Sequence, residues 1–491
     1  MYLSFVALCL IATIVIYFLN NPIKHGTWFM VRRFINWFPL GMTYAFLYMG
    51  RYNLVVAKNA LGTTMSNEDF GWIFFWGTAV YAFAFLVNGP LVDKIGGKRG
   101  IIIAAVGAAA ANIGLGVLTY LVALHRLQVN LVVAFSVLYA LNMYFQSYGA
   151  VSIIKVKAYW FHVRERGVFG AIFGTLISFG VYFAFDWGQA IVEMTKAHPG
   201  GPDGWFQQLL QRVFALKAQP VDATWAVFYL PAVILLFWVV LDWWLIKDTP
   251  EEAHFAAFDT HDASSGHMDE ELTVWDLLKR VLFSPLILLL ALANLTSGVL
   301  RNGVTQWYFI YGNQIKQPGG EFFVAHWGLL LCLFGIVGGF AGGLVSDKFF
   351  QSRRGPPTGL FCIFALVMAV VMAAALRTSP FLVGLAGVCI VMAAVGITSL
   401  MAGTAATDLG GRKATATCSG IVDGSAYLGS ALQSVSLGYL TGLSWLWWPI
   451  FLMPFAALGI VIAVKIWTAL PPATRKYVAE VEHKHIAGVT P

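Results

Sequence analysis

Charged side chains are scarce in this sequence, because Asp, Glu, Lys and Arg together supply 11% of its 491 residues. Soluble domains carry roughly 25%. Apolar residues supply 59%, more than a water-soluble core can bury, which excludes a soluble globular protein and a disordered chain. Apolar runs such as Val233 to Val240 do not alternate with polar residues, so they exclude a membrane β-barrel. The remaining class is an all-α protein that crosses a membrane several times.

Cysteines and metal-binding patterns are also sparse. The five cysteines all lie inside apolar runs, and none is spaced as Cys-x-x-Cys. They are therefore predicted to be small buried hydrophobic residues, which excludes a disulfide framework. No glycine-rich phosphate loop, nucleophile–base pair or His-x-x-x-His spacing occurs inside a run. Enzymatic activity is not expected, and the sequence predicts neither a cofactor nor a metal.

Thirteen apolar runs are long enough to cross a bilayer as helices. They are residues 2–19, 34–57, 70–92, 100–124, 129–154, 167–192, 223–246, 282–312, 324–346, 357–376, 379–406, 414–442 and 445–470. If the loop that contains Lys24, Arg32 and Arg33 is cytoplasmic, 22 of the 31 basic residues fall in cytoplasmic segments and seven outside. This asymmetry orients the chain by the positive-inside rule. The net charge of +7 is thereby explained by topology, without a nucleic acid partner.

The first run is predicted to be an additional transmembrane helix. It lacks the basic start and the small-residue cleavage site of a signal peptide. Twelve core helices follow, with both core termini in the cytoplasm and the extreme N-terminus outside. The longest polar stretch divides the core six and six. The predicted organisation is an additional helix (1–20), an N-terminal six-helix bundle (34–246), a central cytoplasmic linker (247–281), a C-terminal six-helix bundle (282–470) and a cytoplasmic tail (471–491).

The two halves repeat each other. A loop motif follows the second core helix, with Asp93, Lys94, Gly97, Lys98 and Arg99, and a related one follows the eighth, with Asp347, Lys348, Arg353 and Arg354. The two aspartates are 254 residues apart, and two arginines inside spans, Arg51 and Arg301, are 250 apart. Such repeats in a membrane protein indicate two bundles related by a pseudo-two-fold axis. Either loop alone could be a basic topology loop, but the repetition favours transporter gates.

Several motifs, in order along residues 34–470, resemble the major facilitator superfamily and, within it, the organophosphate:phosphate antiporter family. Residues 44–53 are similar to the family's first-helix signature, Tyr-x-x-x-Tyr-x-x-Arg-x-Asn, and residues 301–307 to its seventh-helix signature. The further matches are Trp160-Phe161 with Arg164 to Gly167, Trp225 to Pro231, Asp248-Thr249-Pro250, Ser346-Asp347-Lys348 with Arg353 to Gly355, and Asp423-Gly424 with Tyr427 to Gly429. The resemblance implies a major facilitator fold and exchange of an organic phosphate for inorganic phosphate.

Arg51 and Arg301 are the strongest candidates for a binding site. An arginine at a helix centre costs roughly 2.5–3.5 kcal/mol on the mildest scale, so such residues usually face a cavity. The guanidinium keeps its proton and matches a phosphate dianion with two parallel hydrogen bonds. One arginine from each half could therefore hold a phosphate between the bundles. The alternative is structural pairing with Asp186 or Asp423.

Other candidate residues surround these arginines in the sequence. Tyr44 and Tyr48 share a helical face with Arg51, and their hydroxyls could bind phosphate oxygens or simply pack. The possible pocket residues are Asn53, Asn302, Trp307, Tyr311 and Asp423, the last with either a proton or gating role or a structural one.

The sequence also departs from the glycerol-phosphate transporters of that family. Phe85 and Ile177 stand where those transporters carry a lysine and a histidine near the site. The ester therefore stays open among sugar phosphates, glycerol phosphate and phosphoglycerate. The expected setting is a bacterial inner membrane, and the expected partners are the phosphorylated substrate, inorganic phosphate and the lipid bilayer.

Two other functions stay open. One is a transporter-like sensor of hexose phosphate, for which the helix 2–19 could dock a membrane partner on an otherwise monomeric protein. The other is a carrier of a non-phosphorylated solute.

Overall fold

A computed structural model describes residues 2–19, 21–123, 126–162, 165–195, 225–256, 283–316, 318–350, 353–401 and 406–467, with four isolated positions between 205 and 212. These residues form helices and connecting turns, without strands. The helices are α1 Tyr2–Leu19, α2 Thr27–Leu61, α3 Asn67–Ile95, α4 Gly97–Ala123, α5 Leu131–Trp160, α6 Arg166–Tyr182, α7 Gly188–Thr195, α8 Ala226–Leu245, α9 Pro285–Thr305, α10 Trp307–Ile315, α11 Glu321–Ala325, α12 Trp327–Phe349, α13 Gly355–Ala375, α14 Pro380–Thr398, α15 Ala406–Leu443 and α16 Trp447–Lys465.

The helices match the thirteen predicted runs, and the all-α membrane fold is confirmed. Ten spans in the described chain are both long and apolar enough to cross a bilayer. Helices α2 and α15 exceed their predicted bounds, at 35 and 38 residues, because polar residues continue them beyond the apolar core. Two predicted runs are interrupted. A π-helical turn, Phe183–Trp187, joins α6 to α7, and Gln306 separates α9 from α10. Residues 257–281 of the predicted linker and the predicted tail lie outside the described residues.

The core helices pack mainly against helices from the same half of the sequence. Within the N-terminal bundle, here α2 to α8, α4 packs on α5 and α8, and α2 packs on α6 and α8. Within the C-terminal bundle, here α9 to α16, α9 packs on α14, α15 and α16, and α13 packs on α14 and α16. The two bundles meet along an interface that we call the seam. Across it, α3 packs on α15 and α6 packs on α12. Helix α1 packs on α6, beside the N-terminal bundle.

The two bundles meet closely at one end, which we call the outer end because the sequence predicts that it faces away from the cytoplasm. It carries the turn Gly62–Thr64, residue 316 and residues 318–320 and 444–446. A Cβ atom on Gly438 would lie 3.1 Å from the Cα of Gly71 and 3.0 Å from the carbonyl oxygen of Asn67. Helices α3 and α15 can touch backbone to backbone here because these positions are glycine.

A buried ion pair ties α2 to the turn after α5, at the opposite end. The Arg33 Nη1 atom lies 2.8 Å from Glu165 Oε2, and Nη2 lies 2.9 Å from Oε1, so the pair is bidentate. Arg33 Nε also donates to the Tyr17 hydroxyl at 3.0 Å, which fastens α1 to the same cluster. Burial alone would raise the pKa of Glu165, but the hydrogen bonds and charge of Arg33 hold it below its ordinary value.

The first predicted gate loop is anchored by an acid from outside the motif. The backbone N–H of Lys98 donates to Asp248 Oδ1 at 2.7 Å, and the Lys98 ammonium lies 5.4 Å from the centre of the Trp243 ring. In the second loop, Arg354 Nη1 donates to the Ser346 hydroxyl at 2.8 Å. The side chains of Asp93 and Asp347 lie outside the described part of the protein, although both residues are helical.

Candidate functional site

Arg51 lies in the middle of α2 and is enclosed by tyrosine rings. The centre of its guanidinium lies 4.4 Å from the Tyr48 ring, 4.5 Å from the Tyr81 ring and 5.5 Å from the Tyr427 ring. These rings come from α2, α3 and α15, and therefore from both bundles. Aromatic faces attract a cation and replace part of its hydration at a site where the Arg51 side chain is only 1% exposed.

Two of the three guanidinium nitrogens of Arg51 have protein partners. Nε donates to Gln146 Oε1 at 3.0 Å, and Nη1 donates to the Tyr427 hydroxyl at 2.7 Å across the seam. Nη2 is buried and makes no hydrogen bond of good geometry to a described residue, although the Tyr81 hydroxyl also interacts with this guanidinium. A buried cationic donor without an acceptor raises the free energy of the folded protein. We therefore expect an anion or a water molecule to bind this nitrogen.

Arg301, on α9, offers a second such donor from the other bundle. Its Nε atom is buried and also lacks an acceptor among the residues described. Both arginines interact electrostatically with Tyr48, Tyr52 and Tyr427, which shows that they converge on one tyrosine-lined region. The seam is bridged beside it, since the Tyr52 hydroxyl donates to Asn302 Oδ1 at 2.8 Å.

Neither acid suggested as a structural partner neutralises an arginine by direct contact in the described chain. The charge of Asp423 attracts Arg301, but no ion pair within 4.0 Å joins them there. Asp186 binds backbone N–H groups of α12 instead. Among the residues that the structure describes, two cationic side chains therefore share one region with one nearby carboxylate, that of Asp423.

The structure brings some of the predicted pocket residues to this region and not others. Tyr44 stacks edge-on against Tyr48 at 5.4 Å between ring centres, next to Arg51. Asn53 points into the N-terminal bundle, where its amide donates to Asn112 Oδ1 at 2.7 Å. In the C-terminal bundle, the Trp307 indole donates to Gln433 at 2.9 Å and the Tyr311 hydroxyl donates to the Leu376 carbonyl at 3.0 Å.

Sequence reasoning missed three residues that position Arg51. Gln146 binds its Nε atom, and Tyr81 and Tyr427 enclose it. A signal for Gln146 existed, because Asn142 and Gln146 form a polar i, i+4 pair inside an apolar span. Tyr427 likewise lies four residues after Asp423, on the same helical face. Nothing in the sequence distinguishes Tyr81 in this way, because it is one of many aromatic residues in the same apolar run.

For an anion bound at Arg51, replacing Gln146 by leucine is expected to raise the concentration for half-maximal binding about tenfold, because Arg51 Nε then loses its acceptor and the guanidinium loses its fixed orientation. Titration of the purified protein with phosphate measures this. The matched control is Gln433→Leu, which removes a buried glutamine bonded to Trp307 instead. Equal effects of both substitutions would contradict a specific role for Gln146.

A sequence model of the Major Facilitator Superfamily matches residues 40–434. The glycerol-3-phosphate transporter of Bacillus subtilis is 26% identical over 337 residues, 67% of this chain and 69% of that protein. The membrane sensor protein UhpC of Escherichia coli is 24% identical over 429 residues, 85% and 88% of the two chains. A probable hexose phosphate transport protein of Chlamydia pneumoniae is 22% identical over 364 residues, 70% and 73%.

Solved structures show the same fold at low identity. A bacterial homologue of the human lysosomal transporter Spinster, in an inward-facing and occupied conformation, superimposes with a TM-score of 0.65 at 12% identity, over 88% of this chain and 96% of that one. FucP in its outward conformation gives a TM-score of 0.54 at 16% identity, over 88% and 99%.

Proposed function

This chain belongs to the major facilitator superfamily, and on that premise we propose that it exchanges an organic phosphate ester for inorganic phosphate across the membrane by alternating access. Its relatives named as glycerol-3-phosphate and hexose phosphate transporters support a phosphorylated solute. The observation that carries the proposal is a pair of buried guanidinium nitrogens, Arg51 Nη2 and Arg301 Nε, one from each bundle, which have no hydrogen-bond partner within the described part of the protein.

A phosphate fits these donors by charge and by geometry. A dianion neutralises two guanidinium groups, and hydrogen bonds between ionised partners are about twice as strong as neutral ones. Because the arginines belong to different bundles, a bound phosphate holds the bundles together while they rock. Tyr44 and Tyr48, next to Arg51, are proposed to supply hydroxyl donors to the remaining phosphate oxygens.

The same arrangement explains why transport is exchange rather than net movement. In the empty protein two positive charges converge on a region with few hydrogen-bond acceptors, and their repulsion opposes closure of the bundles. Either phosphate or its ester removes the repulsion, so the loaded protein is proposed to cross between states much faster than the empty one. The loops that contain Lys94, Lys98, Lys348 and Arg354 are proposed to pair and separate as the opposite end opens and closes.

The organic part of the substrate is proposed to bind beside an aromatic side chain. Phe85 lies beside the site, with its ring centre 4.8 Å from that of Tyr81 and 6.2 Å from that of Tyr427. An aromatic surface binds the apolar faces of a sugar ring or a carbon chain, and it provides no charge for a second carboxylate. A sugar phosphate therefore suits the site better than phosphoglycerate.

Exchange in proteoliposomes tests the function. Vesicles loaded with phosphate are expected to take up radiolabelled phosphate, and unloaded vesicles to take up little. Glucose 6-phosphate should compete more strongly than 3-phosphoglycerate, and free glucose should not compete. Uptake that free sugars inhibit and phosphate does not would identify a carrier of non-phosphorylated solutes.

A sensor is the second candidate function. The observation in its favour is the coverage of the Escherichia coli sensor relative, whose alignment spans 85% of this chain. A sensor is expected to bind hexose phosphate with little phosphate exchange in the same vesicles, so the two candidates differ in that one measurement.

A further inference from the structure

The carboxylate of Asp186 crosses the seam between the bundles near the outer end. Asp186 belongs to the N-terminal bundle, and its two carboxylate oxygens lie against the first turn of α12 in the C-terminal bundle. The backbone N–H of Gly328 donates to Oδ1 at 2.8 Å, and that of Leu329 donates to Oδ2 at 3.2 Å. An acid of one bundle thus caps a helix of the other with both of its oxygens.

The cap is favourable for two reasons. The first N–H groups of a helix have no partner within that helix, so the carboxylate satisfies donors that would otherwise stay unpaired. The helix dipole also places partial positive charge at this end, which attracts an anion. Both gains are lost when the bundles separate at the outer end, unless water replaces the carboxylate.

Local backbone structure aims Asp186 at α12. The residue lies in the π-helical turn, where the N–H of Gly188 bonds to the carbonyl of Phe183, five residues earlier. Such turns are rare in α-helices and are frequent at functional sites. A regular α-helix would rotate Asp186 to a different direction, since each residue advances the helix by about 100°.

Gly328 lets the two segments approach closely. A Cβ atom at this position would lie 2.7 Å from Asp186 Oδ1, 3.0 Å from the Tyr182 carbonyl oxygen and 3.1 Å from the Phe185 Cβ atom. Any side chain at position 328 would therefore push α12 away from the turn that carries Asp186.

Several other hydrogen bonds between described residues cross the outer end and join neutral groups. Gln314 Nε2 donates to Asn67 Oδ1 at 2.9 Å, and Asn59 Nδ2 donates to the Phe309 carbonyl at 3.3 Å. A bond to an ionised acceptor is worth more than either of these. The contact of Asp186 with α12 is therefore expected to be stronger than either of these two bonds.

We propose that Asp186 is the latch of the outer end, a positioning residue that holds α12 against the N-terminal bundle and thereby sets how often that end opens. Opening removes both hydrogen bonds at once, so the latch makes the outer-closed state the preferred resting state of the empty protein. The role is independent of which solute is carried, and it goes beyond the proposed exchange.

Distances between spin labels on the two bundles test the latch. Thr63→Cys and Lys316→Cys place labels on exposed positions at the outer end, one on each bundle, in a chain whose native cysteines are replaced by alanine. Asp186→Asn keeps the volume and removes the charge, and Asp186→Ala removes both acceptors. The matched control is Asp242→Asn, since Asp242 is also buried but accepts its hydrogen bond within its own bundle, from Thr43 at 2.6 Å.

Without substrate, both Asp186 variants are expected to shift the ratio of outer-open to outer-closed molecules at least tenfold toward open, with the larger shift in Asp186→Ala. Gly328→Ala, which alters the α12 side of the same contact, should also shift this ratio toward open. Asp242→Asn should leave the distribution unchanged. An unchanged distribution in folded Asp186→Asn protein would overturn the latch, and so would an equal shift in Asp242→Asn. Because no phosphate is present, these outcomes do not depend on the proposed exchange.

Discussion

Replacing Arg301 by lysine is expected to reduce phosphate exchange at least about 100-fold, and Arg51→Lys should do the same. Hydrogen bonds to charged groups contribute about 1.5–3 kcal/mol each, and lysine cannot make the two parallel bonds of a guanidinium. Because lysine keeps the positive charge, a loss of phosphate exchange in this variant shows that the geometry of the guanidinium hydrogen bonds is required, and not the net charge alone. The measurement is exchange of labelled phosphate in vesicles that contain equal amounts of folded protein.

The control for the arginine variants is Arg126→Lys, on an exposed outer position far from the site in sequence. It should exchange phosphate at the rate of the unmodified protein. If Arg51→Lys and Arg301→Lys both retain phosphate exchange, the two guanidinium groups are not the phosphate site, and other residues must hold the phosphate.

Replacing Arg33 by alanine is expected to have the largest effect on stability, about 3–5 kcal/mol, because it leaves the buried Glu165 carboxylate without its cation. The same substitution removes a partner of Tyr17, so α1 should also detach more easily from the bundle. Denaturation of the purified protein in detergent measures the loss. Arg377→Ala, at an exposed position, should change stability by less than about 0.5 kcal/mol.

The dependence of this effect on pH has a definite sign. The pKa of Glu165 is held below its ordinary value of about 4.3 in the folded protein, so the ion pair stabilises fully above that value. As the pH falls through the folded pKa, Glu165 gains a proton and the stabilisation disappears. The difference in stability between the unmodified protein and Glu165→Gln should therefore narrow at acidic pH. A constant difference would show that the pair acts by packing alone.

The helical architecture was predictable from the sequence because backbone N–H and C=O groups in lipid must hydrogen-bond to one another, which only helices and closed barrels allow. Apolar run length predicted the helices, and the positions of Arg51 and Arg301 inside spans predicted which cations need partners. Breaks within the runs were not predictable in this way. The turn at Phe183–Trp187 contains Asp186, and the break at Gln306 follows Arg301 and Asn302, but polar residues inside an apolar run do not by themselves specify a change in helical geometry.

The residues around the candidate site show a similar limit. Tyr44 and Tyr48 could be found from helical spacing, because their relation to Arg51 lies within one helix. Gln146 and Tyr427 reach Arg51 from α5 and α15, so their role depends on packing between helices that are distant in sequence. Trp307 and Tyr311 follow Arg301 in the sequence, yet their polar atoms bond to Gln433 and to the Leu376 carbonyl.

The π-helical turn has an evolutionary consequence. A turn closed over five residues accommodates one residue more than a regular α-helical turn, so removing that residue would rotate all that follows by about 100°. Asp186 would then leave the first turn of α12. The aspartate and the extra residue should therefore be inherited together, and homologous helices that lack the acid should align with a gap of one residue at this turn.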